Sequence, residues 1–446
     1  MKEQTRPKTW PMRSSGEENR SLTAPNSKER KLFVYLTCLF IVTWYLQLGL
    51  RVGVLGAIRF EFILGAFLSV SALLTLLNEK RSTPLKGPII FFFSVLAFYT
   101  LFSYDRSHSW ETFFNRVIKF SMLAAFLAAF VRTEWALKMV IAAFLLAMLK
   151  MGQEGLIGWL TGGMVWENQG IPRLHGVTGL YRHPNSYSGM AVGCLPFIYY
   201  LYPTSNWWQK SLLIALLACA LIIIVFTGSR TGYVATILLS IYFWREKLKV
   251  RRAKYLLVGI AVFVTAYALL PEAYTERLHS IITLEEAQGS SSETRIQILK
   301  DAVSVFISRP WGVGVSAFPS VRYEMFGRIQ DTHNLYLELL TNMSVLGVLS
   351  FFVFVGTIVR QNKIIIARTN SPFVDAVAQA VIAFIYARLF LGLFGMDTYE
   401  IYWWFAAGLT MGMYRITSNH CKKDLDTTTK FSSIAQAALP RRGKES

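Results

Sequence analysis

The stretch DTHNLYLELLTNMSVLGVLSFFVFV, residues 331–355, decides how this chain is read. Asp331, Thr332, His333 and Asn334 close a polar break of about sixty residues, and from Leu335 the chain turns apolar for long enough to enter a bilayer. An imidazole at the mouth of such a helix sits where chemistry at a membrane surface needs a titratable group.

Apolar runs of this kind recur from end to end of the 446 residues, 53% of which are hydrophobic. A soluble core has no use for so many, so the fold class reads as an all-α polytopic membrane protein with about twelve transmembrane helices. Spans are expected near 31–50, 60–77, 87–104, 117–131, 137–149, 188–202, 211–226, 232–243, 255–270, 335–359, 377–394 and 401–416. A polar tail, 1–30, precedes a helix bundle, 31–417, which includes a large helical loop, 271–334, before the tenth span; a second polar tail covers 418–446. Both tails are expected to be disordered, and the first lacks the apolar segment of a cleaved signal.

Lys and Arg set the orientation, because cationic loops resist translocation. Segments 78–86, 132–138, 203–210, 244–254 and 360–370 carry fifteen of them in 46 residues. The alternate loops 51–59, 105–116, 150–187, 227–231 and 395–400 carry eight in 70. The first set is therefore assigned to the cytoplasm with both tails, and the 271–334 loop to the outer, periplasmic face. The net charge of +19 follows from this bias, helped by anionic headgroups of membrane lipids, and calls for no nucleic acid.

Of six histidines, His108, His175, His183, His279 and His333 fall on that outer side and only His420 falls inside. Cys38, Cys194 and Cys219 lie in spans and Cys421 in a tail, so neither a disulfide framework nor a thiolate metal site is indicated. Asp424-Leu425-Asp426 looks like a metal-nucleotide pair, but in a short polar tail it reads as solvated acids. No cofactor and no metal site is expected.

Three polar clusters remain. Gly179-Leu180-Tyr181-Arg182-His183-Pro184-Asn185 precedes the sixth span, and Thr227-Gly228-Ser229-Arg230-Thr231-Gly232 is wedged between the seventh and eighth. An arginine at the centre of the hydrocarbon costs roughly 2.5 to 3.5 kcal/mol, so Arg230 is expected to face water, an anion or a carboxylate. In the long loop, Ser290-Ser291-Ser292-Glu293 fits a capping box, and Ile296, Leu299, Val303 and Phe306 recur at helical spacing until Pro310. That pattern predicts an amphipathic helix lying against the membrane or the bundle, with Arg295 beside its apolar stripe. Pro310-Trp311-Gly312-Val313-Gly314 then reads as a tight turn.

In this order and on one face, the Gly-x-x-x-His-Pro-Asn stretch, Ser229-Arg230 between two spans, and Arg295 followed by Pro-x-Gly-x-Gly and His333-Asn334 resemble the bacterial O-antigen ligase and polymerase superfamily. The likeness covers about residues 175–350. It implies a metal-independent, inverting glycosyltransferase of the inner membrane, acting in surface polysaccharide biosynthesis. Such an enzyme takes a glycan from undecaprenyl diphosphate and joins it to an acceptor sugar, either lipid A core or another lipid-linked repeat unit, on the periplasmic face. Carried over by motif, Arg230 and Arg295 match the family's essential arginines and His333 its essential histidine. Arg182, His183, Asn185 and Asn334 are expected to line the substrate cavity. The residue types suit that chemistry: guanidinium groups meet phosphate oxygens through paired hydrogen bonds, and a near-neutral imidazole accepts the acceptor's proton.

Other residues receive plainer readings. Arg388, within the eleventh span, either lines the cavity or pairs with Glu338 or Asp397, pairing being the favoured reading; Arg173, His175 and Arg322 either touch diphosphate or glycan or are solvated loop residues, the latter favoured. Trp166 reads as a packed aromatic, and Trp207-Trp208 and Trp403-Trp404 as anchors at the membrane interface. A lipid-linked oligosaccharide exporter is the alternative function; it shares the spans and interior cations but has no need of a long outer loop ending in His-Asn. A non-catalytic membrane subunit is a third reading, and it would be indifferent to His333.

Overall fold

The computed structural model describes residues 27–79, 83–168, 170–247, 272–276, 291–395 and 398–418. The ninth expected span, most of both tails, Ser290 of the capping box, His279, His420, the Asp424–Asp426 pair and Asp397 lie outside the described residues.

Six described helices are long and apolar enough to cross a membrane: Phe60–Leu77, Arg106–Phe130, Glu134–Thr161, Trp207–Phe226, Leu335–Arg368 and Pro372–Leu391. Lys31–Leu46 and Lys86–Leu101 are shorter apolar helices. Phe62, Ile63, Phe67 and Val70 turn outward from the Phe60 helix, an exposure that lipid tolerates and water does not. The chain is an all-α, multi-pass membrane protein. Its centre is Pro184–Leu201, buried at nearly every position from Tyr187 onward and packed against Pro372–Leu391 and Trp207–Phe226.

Described basic residues from separate stretches of the chain gather around Glu79 and Glu134. There Glu79 pairs with Arg132 and Arg415, and Lys138 with Glu134 at 2.6 Å. The polar clusters are tied to neighbouring helices: Gly179 N donates to Gln47 Oε1, Val315 N to Tyr99 O, and Leu335 N to Gly392 O.

Several boundaries depart from the expected ones. The 105–116 and 150–161 stretches, expected as loops, are helical, because backbone bonding continues past the point where side chains turn polar. Asp105 caps the first by accepting from His108 N, and a π-helical turn over Phe113–Ile118 carries Arg116 to Glu400 at 3.1 Å. Val165–Asn168 and Ile171–Leu174, part of the same expected loop, form an antiparallel hairpin with Trp166 opposite Arg173.

Two further differences bear on the site. Leu335–Arg368 is broken at Met343 and Ser344, where φ and ψ leave the helical region. The break frees carbonyls of Thr341 and Asn342, and these accept from Val313 N and Gly314 N of the glycine turn at 3.0 and 2.9 Å. Gly312 and Gly314 have φ of 87° and 113°, and a Cβ at Gly314 would strike Ser103; the turn is therefore a plug between two membrane helices. On Ser291–Ser308 the buried face is Ile298, Asp301, Ala302 and Val305. Ile296, Leu299 and Val303, the stripe expected to pack, are exposed, and Phe306 is half-buried, because both helix faces carry apolar residues and periodicity cannot rank them.

Candidate functional site

The first wall of the site is knotted by Arg173. This side chain, 1% exposed, donates from Nε to Thr227 O and from a terminal nitrogen to Asn185 Oδ1, both at 2.7 Å. One guanidinium thus joins the hairpin, the His-Pro-Asn stretch and the Ser-Arg turn. Gly228, at φ 57°, lies against Ile171 and Arg173, where a Cβ would have no room. Ser229 caps the next helix by accepting from Gly232 N, so Arg230 is the half-buried first residue of Arg230–Lys247. His183 caps Pro184–Leu201, its Nδ1 accepting from Asn185 N at 3.2 Å.

The second wall is knotted by Arg322, also 1% exposed. Its Nε and a terminal nitrogen reach Asp301 Oδ2 at 2.9 and 2.8 Å, and its other terminal nitrogen donates to Gln330 Oε1 at 2.7 Å. Asp301 Oδ1 accepts from Arg328 and Gln297. Ser291–Ser308, which carries Arg295, is thereby clamped to Phe318–Phe326 and to the segment entering His333. His333 has φ 47°, in the left-handed region that a non-glycine residue adopts only when its surroundings hold it there. Asn334 supplies part of that hold: its Oδ1 accepts from Tyr336 N and Leu337 N, both at 3.0 Å, and its Nδ2 donates to Leu393 O. Both ends of the Asn334 amide are engaged in fixing the helix start, so here it positions its neighbour.

The two walls face one another. His333 is half-buried, and burial first, then the charges of Arg295 and Arg322, lower its pKa below the ordinary 6.5. His183 is open along one edge yet set in a recess; burial again comes first, followed by Arg173, His333 and Arg295, in lowering its pKa. Each imidazole therefore feels Arg295, and His183 feels His333. Arg173 also ties Thr227, at the start of the turn that leads to Arg230, to Asn185 on the His183 side. Arg182 is exposed at the rim, and no contact among the described residues brings it against the others. Imidazoles with lowered pKa beside guanidinium groups have the chemistry that anion binding and proton uptake require.

Arg173 and Arg322, expected to be solvated, are the two buried arginines that build the site. A signal for Arg322 is present in the sequence: Asp301 shares a helix face with Ile298, Ala302 and Val305, and Arg322 follows Val321 in the next helix, a pattern that asks for an ion pair. His175 stacks on Trp166 at 4.5 Å and so belongs to the hairpin. Asp331, two residues before His333, is half-buried; burial raises its pKa, while His108 and Arg116 oppose the shift. Trp207 and Trp208 are exposed and stacked, as interface anchors are, whereas Trp403 and Trp404 are 1% and 2% exposed and pack on Phe351, Phe354 and Phe92 in the core. Among the described residues no three His, Cys, Asp or Glu side chains come together as a metal-binding group.

Residues 214–355 match the model of the O-antigen ligase family. The matched span contains Arg230, Arg295, His333 and Asn334 and stops short of the His183-Pro184-Asn185 stretch. It supports the likeness to the O-antigen ligase and polymerase superfamily and indicates ligase-type chemistry in polysaccharide biosynthesis. No curated protein matches the chain.

Proposed function

We propose that this chain is an inner-membrane glycosyltransferase that moves a glycan from undecaprenyl diphosphate to an acceptor sugar, lipid A core or another lipid-linked repeat unit, on the periplasmic face. The observation that carries the reading is that His333 and Arg295 from one wall and His183 from the other share one electrostatic neighbourhood, with Arg230 on the same wall as His183.

The reaction has definite demands. The acceptor hydroxyl oxygen attacks the anomeric carbon, the bond from that carbon to the diphosphate oxygen breaks, and the diphosphate leaves with the electron pair. The acceptor's proton passes to the neutral imidazole of His333, whose lowered pKa keeps it unprotonated at neutral pH. Negative charge growing on the diphosphate is met by Arg295 and Arg230, which donate paired hydrogen bonds without titrating. Attack in line with the leaving group inverts the anomeric centre. The basic ends of the helices, opposite the site, face the cytoplasm with both tails.

The test uses purified full-length protein with a lipid-linked donor. His333→Ala, Arg230→Ala and Arg295→Ala each abolish transfer while membrane insertion is unchanged, and transfer by the unaltered protein survives EDTA. Transfer at the unaltered rate in all three variants removes the mechanism, and strict dependence on an added divalent ion removes the arginine clamp.

A further inference from the structure

Arg388 lies one helical turn from the end of Pro372–Leu391 and is 8% exposed. Glu338, one of the two carboxylates expected to pair with it, makes no ion pair with it. Glu338 Oε2 accepts from the backbone and hydroxyl of Thr398, and Asp397 lies outside the described residues. The guanidinium instead lies over the ring of Tyr402, 4.1 Å from its centroid, and 5.1 Å from that of Phe384. Its Nε is buried with no hydrogen-bond partner, and among the described residues none forms an ion pair with it. Aromatic faces attract a cation but accept no conventional hydrogen bond from it, so the buried Nε donor is left unmatched.

Two glycines make room for it. A Cβ at Gly193 would stand 2.8 Å from one terminal nitrogen of Arg388, and one at Gly189 would stand 3.5 Å from the other. Both belong to Pro184–Leu201, the helix that His183 caps. Gly189 is five residues beyond Pro184, a rise of about 7 to 8 Å. The end of the Arg388 helix is fastened to the other wall, since Gly392 O accepts from Leu335 N at 2.7 Å and Leu393 O accepts from Asn334 Nδ2 at 3.0 Å. Arg388 thus stands a turn or so deeper in the bundle than His183 and His333, between the same two walls.

An ionised arginine inside a membrane helix bundle costs stability unless something binds it, and it faces a cavity or a partner. We infer that Arg388 is a second anion site, set in the membrane beneath the reacting groups, which holds the phosphate of a lipid whose chain lies among the helices. This rests on the proposed use of a lipid diphosphate donor and assigns to Arg388 the holding of the carrier, not the reaction. The aromatic and glycine surroundings suit a lipid phosphate better than a hydrated free anion, because they offer little to replace lost water.

The experiment measures binding of undecaprenyl phosphate and of inorganic pyrophosphate to the full chain in lipid nanodiscs. Arg388→Gln is expected to weaken undecaprenyl phosphate at least tenfold, with Arg388→Lys in between, and pyrophosphate binding to be unaffected. Gly193→Ala, which keeps the arginine but crowds it, is expected to weaken the lipid severalfold and covers the case in which Arg388→Gln does not fold. In transfer assays Arg388→Gln raises KM for the donor more than it lowers kcat, a split that mere loss of folded protein does not produce. Undecaprenyl phosphate bound as tightly by Arg388→Gln and Gly193→Ala as by the unaltered chain overturns the inference and leaves the transferase reading standing. Pyrophosphate binding that depends on Arg388 as strongly as lipid binding does overturns the lipid assignment. Lipid binding that depends on Arg388 in a chain with no transfer activity upholds the site and removes the transferase reading.

Discussion

The two walls of the site are each built round a fully buried arginine, and they differ in what satisfies it. Arg173 reaches a backbone carbonyl and an amide oxygen, whereas Arg322 reaches the carboxylate of Asp301. The hairpin wall thereby ties three separate stretches of chain through hydrogen bonds at the surface of the bundle. The other wall concentrates its hold on one carboxylate, Asp301, which pairs with both Arg322 and Arg328. A hydrogen-bonded knot distributes its strength, while a buried ion pair fails as a unit when one partner is lost. Catalysis is assigned to side chains attached to both, so the walls should respond differently to damage.

The largest effect tests whether both walls serve one reaction. His333→Ala is expected to lower transfer by about 10²- to 10⁴-fold, the range of a lost general base, with the helical content unchanged by circular dichroism. A drop of less than about threefold would detach the imidazole from the chemistry.

Next comes the ion-pair wall. Asp301→Ala leaves Arg322 buried and unmatched and is expected to cost about 3 to 5 kcal/mol, read as a fall in thermal stability, with transfer lost because His333 is no longer held. On the hairpin wall, Asn185→Ala removes one of the acceptors of Arg173 and is expected to cost about 1 to 3 kcal/mol. Equal losses for Asp301→Ala and Asn185→Ala would erase the distinction between the walls.

A pH profile sharpens it further. His333 has its pKa lowered in the folded protein, so the base is available above that lowered value and transfer falls only as pH drops through it, below 6.5. Arg295 is the first charge after burial that lowers it, so the residual activity of Arg295→Gln should show its acid limb at higher pH than the unaltered enzyme. An unmoved limb would separate Arg295 from His333. The smallest effect lies outside both walls: Trp207→Phe, at an exposed stacked pair, should change stability by less than about 0.5 kcal/mol.

Much of this architecture is legible in the chain itself. Hydropathy locates most of the helices, since a bilayer demands a minimum length of apolar chain and that demand is written residue by residue. His333, His183 and Asn185 stand out because hydrocarbon excludes polar groups and they border long apolar runs, whereas Arg295, inside the long loop, is singled out only by the family resemblance. Helix ends are less so: Glu134–Thr161 runs a full twelve residues past the last position of the expected 137–149 span, through polar residues that a hydropathy reading counts as loop. The buried face of Ser291–Ser308 escapes the pattern because Ile296 and Ile298 are the same residue type on different faces, and only their neighbours tell them apart.

The sequence by itself determined that this is a multi-pass membrane protein and which arginines and histidines stand out in its polar clusters, because composition and spacing are local properties. The tertiary structure decided which arginines are buried and what holds them. Arg173 and Arg322 read as loop charge until Thr227, Asn185 and Asp301 are brought to them from distant parts of the chain, and Arg388 reads as half of an ion pair until Tyr402, Phe384 and Gly193 surround it. A charge acquires its role from what is folded against it, and that depends on contacts between residues far apart in sequence, which no local pattern records.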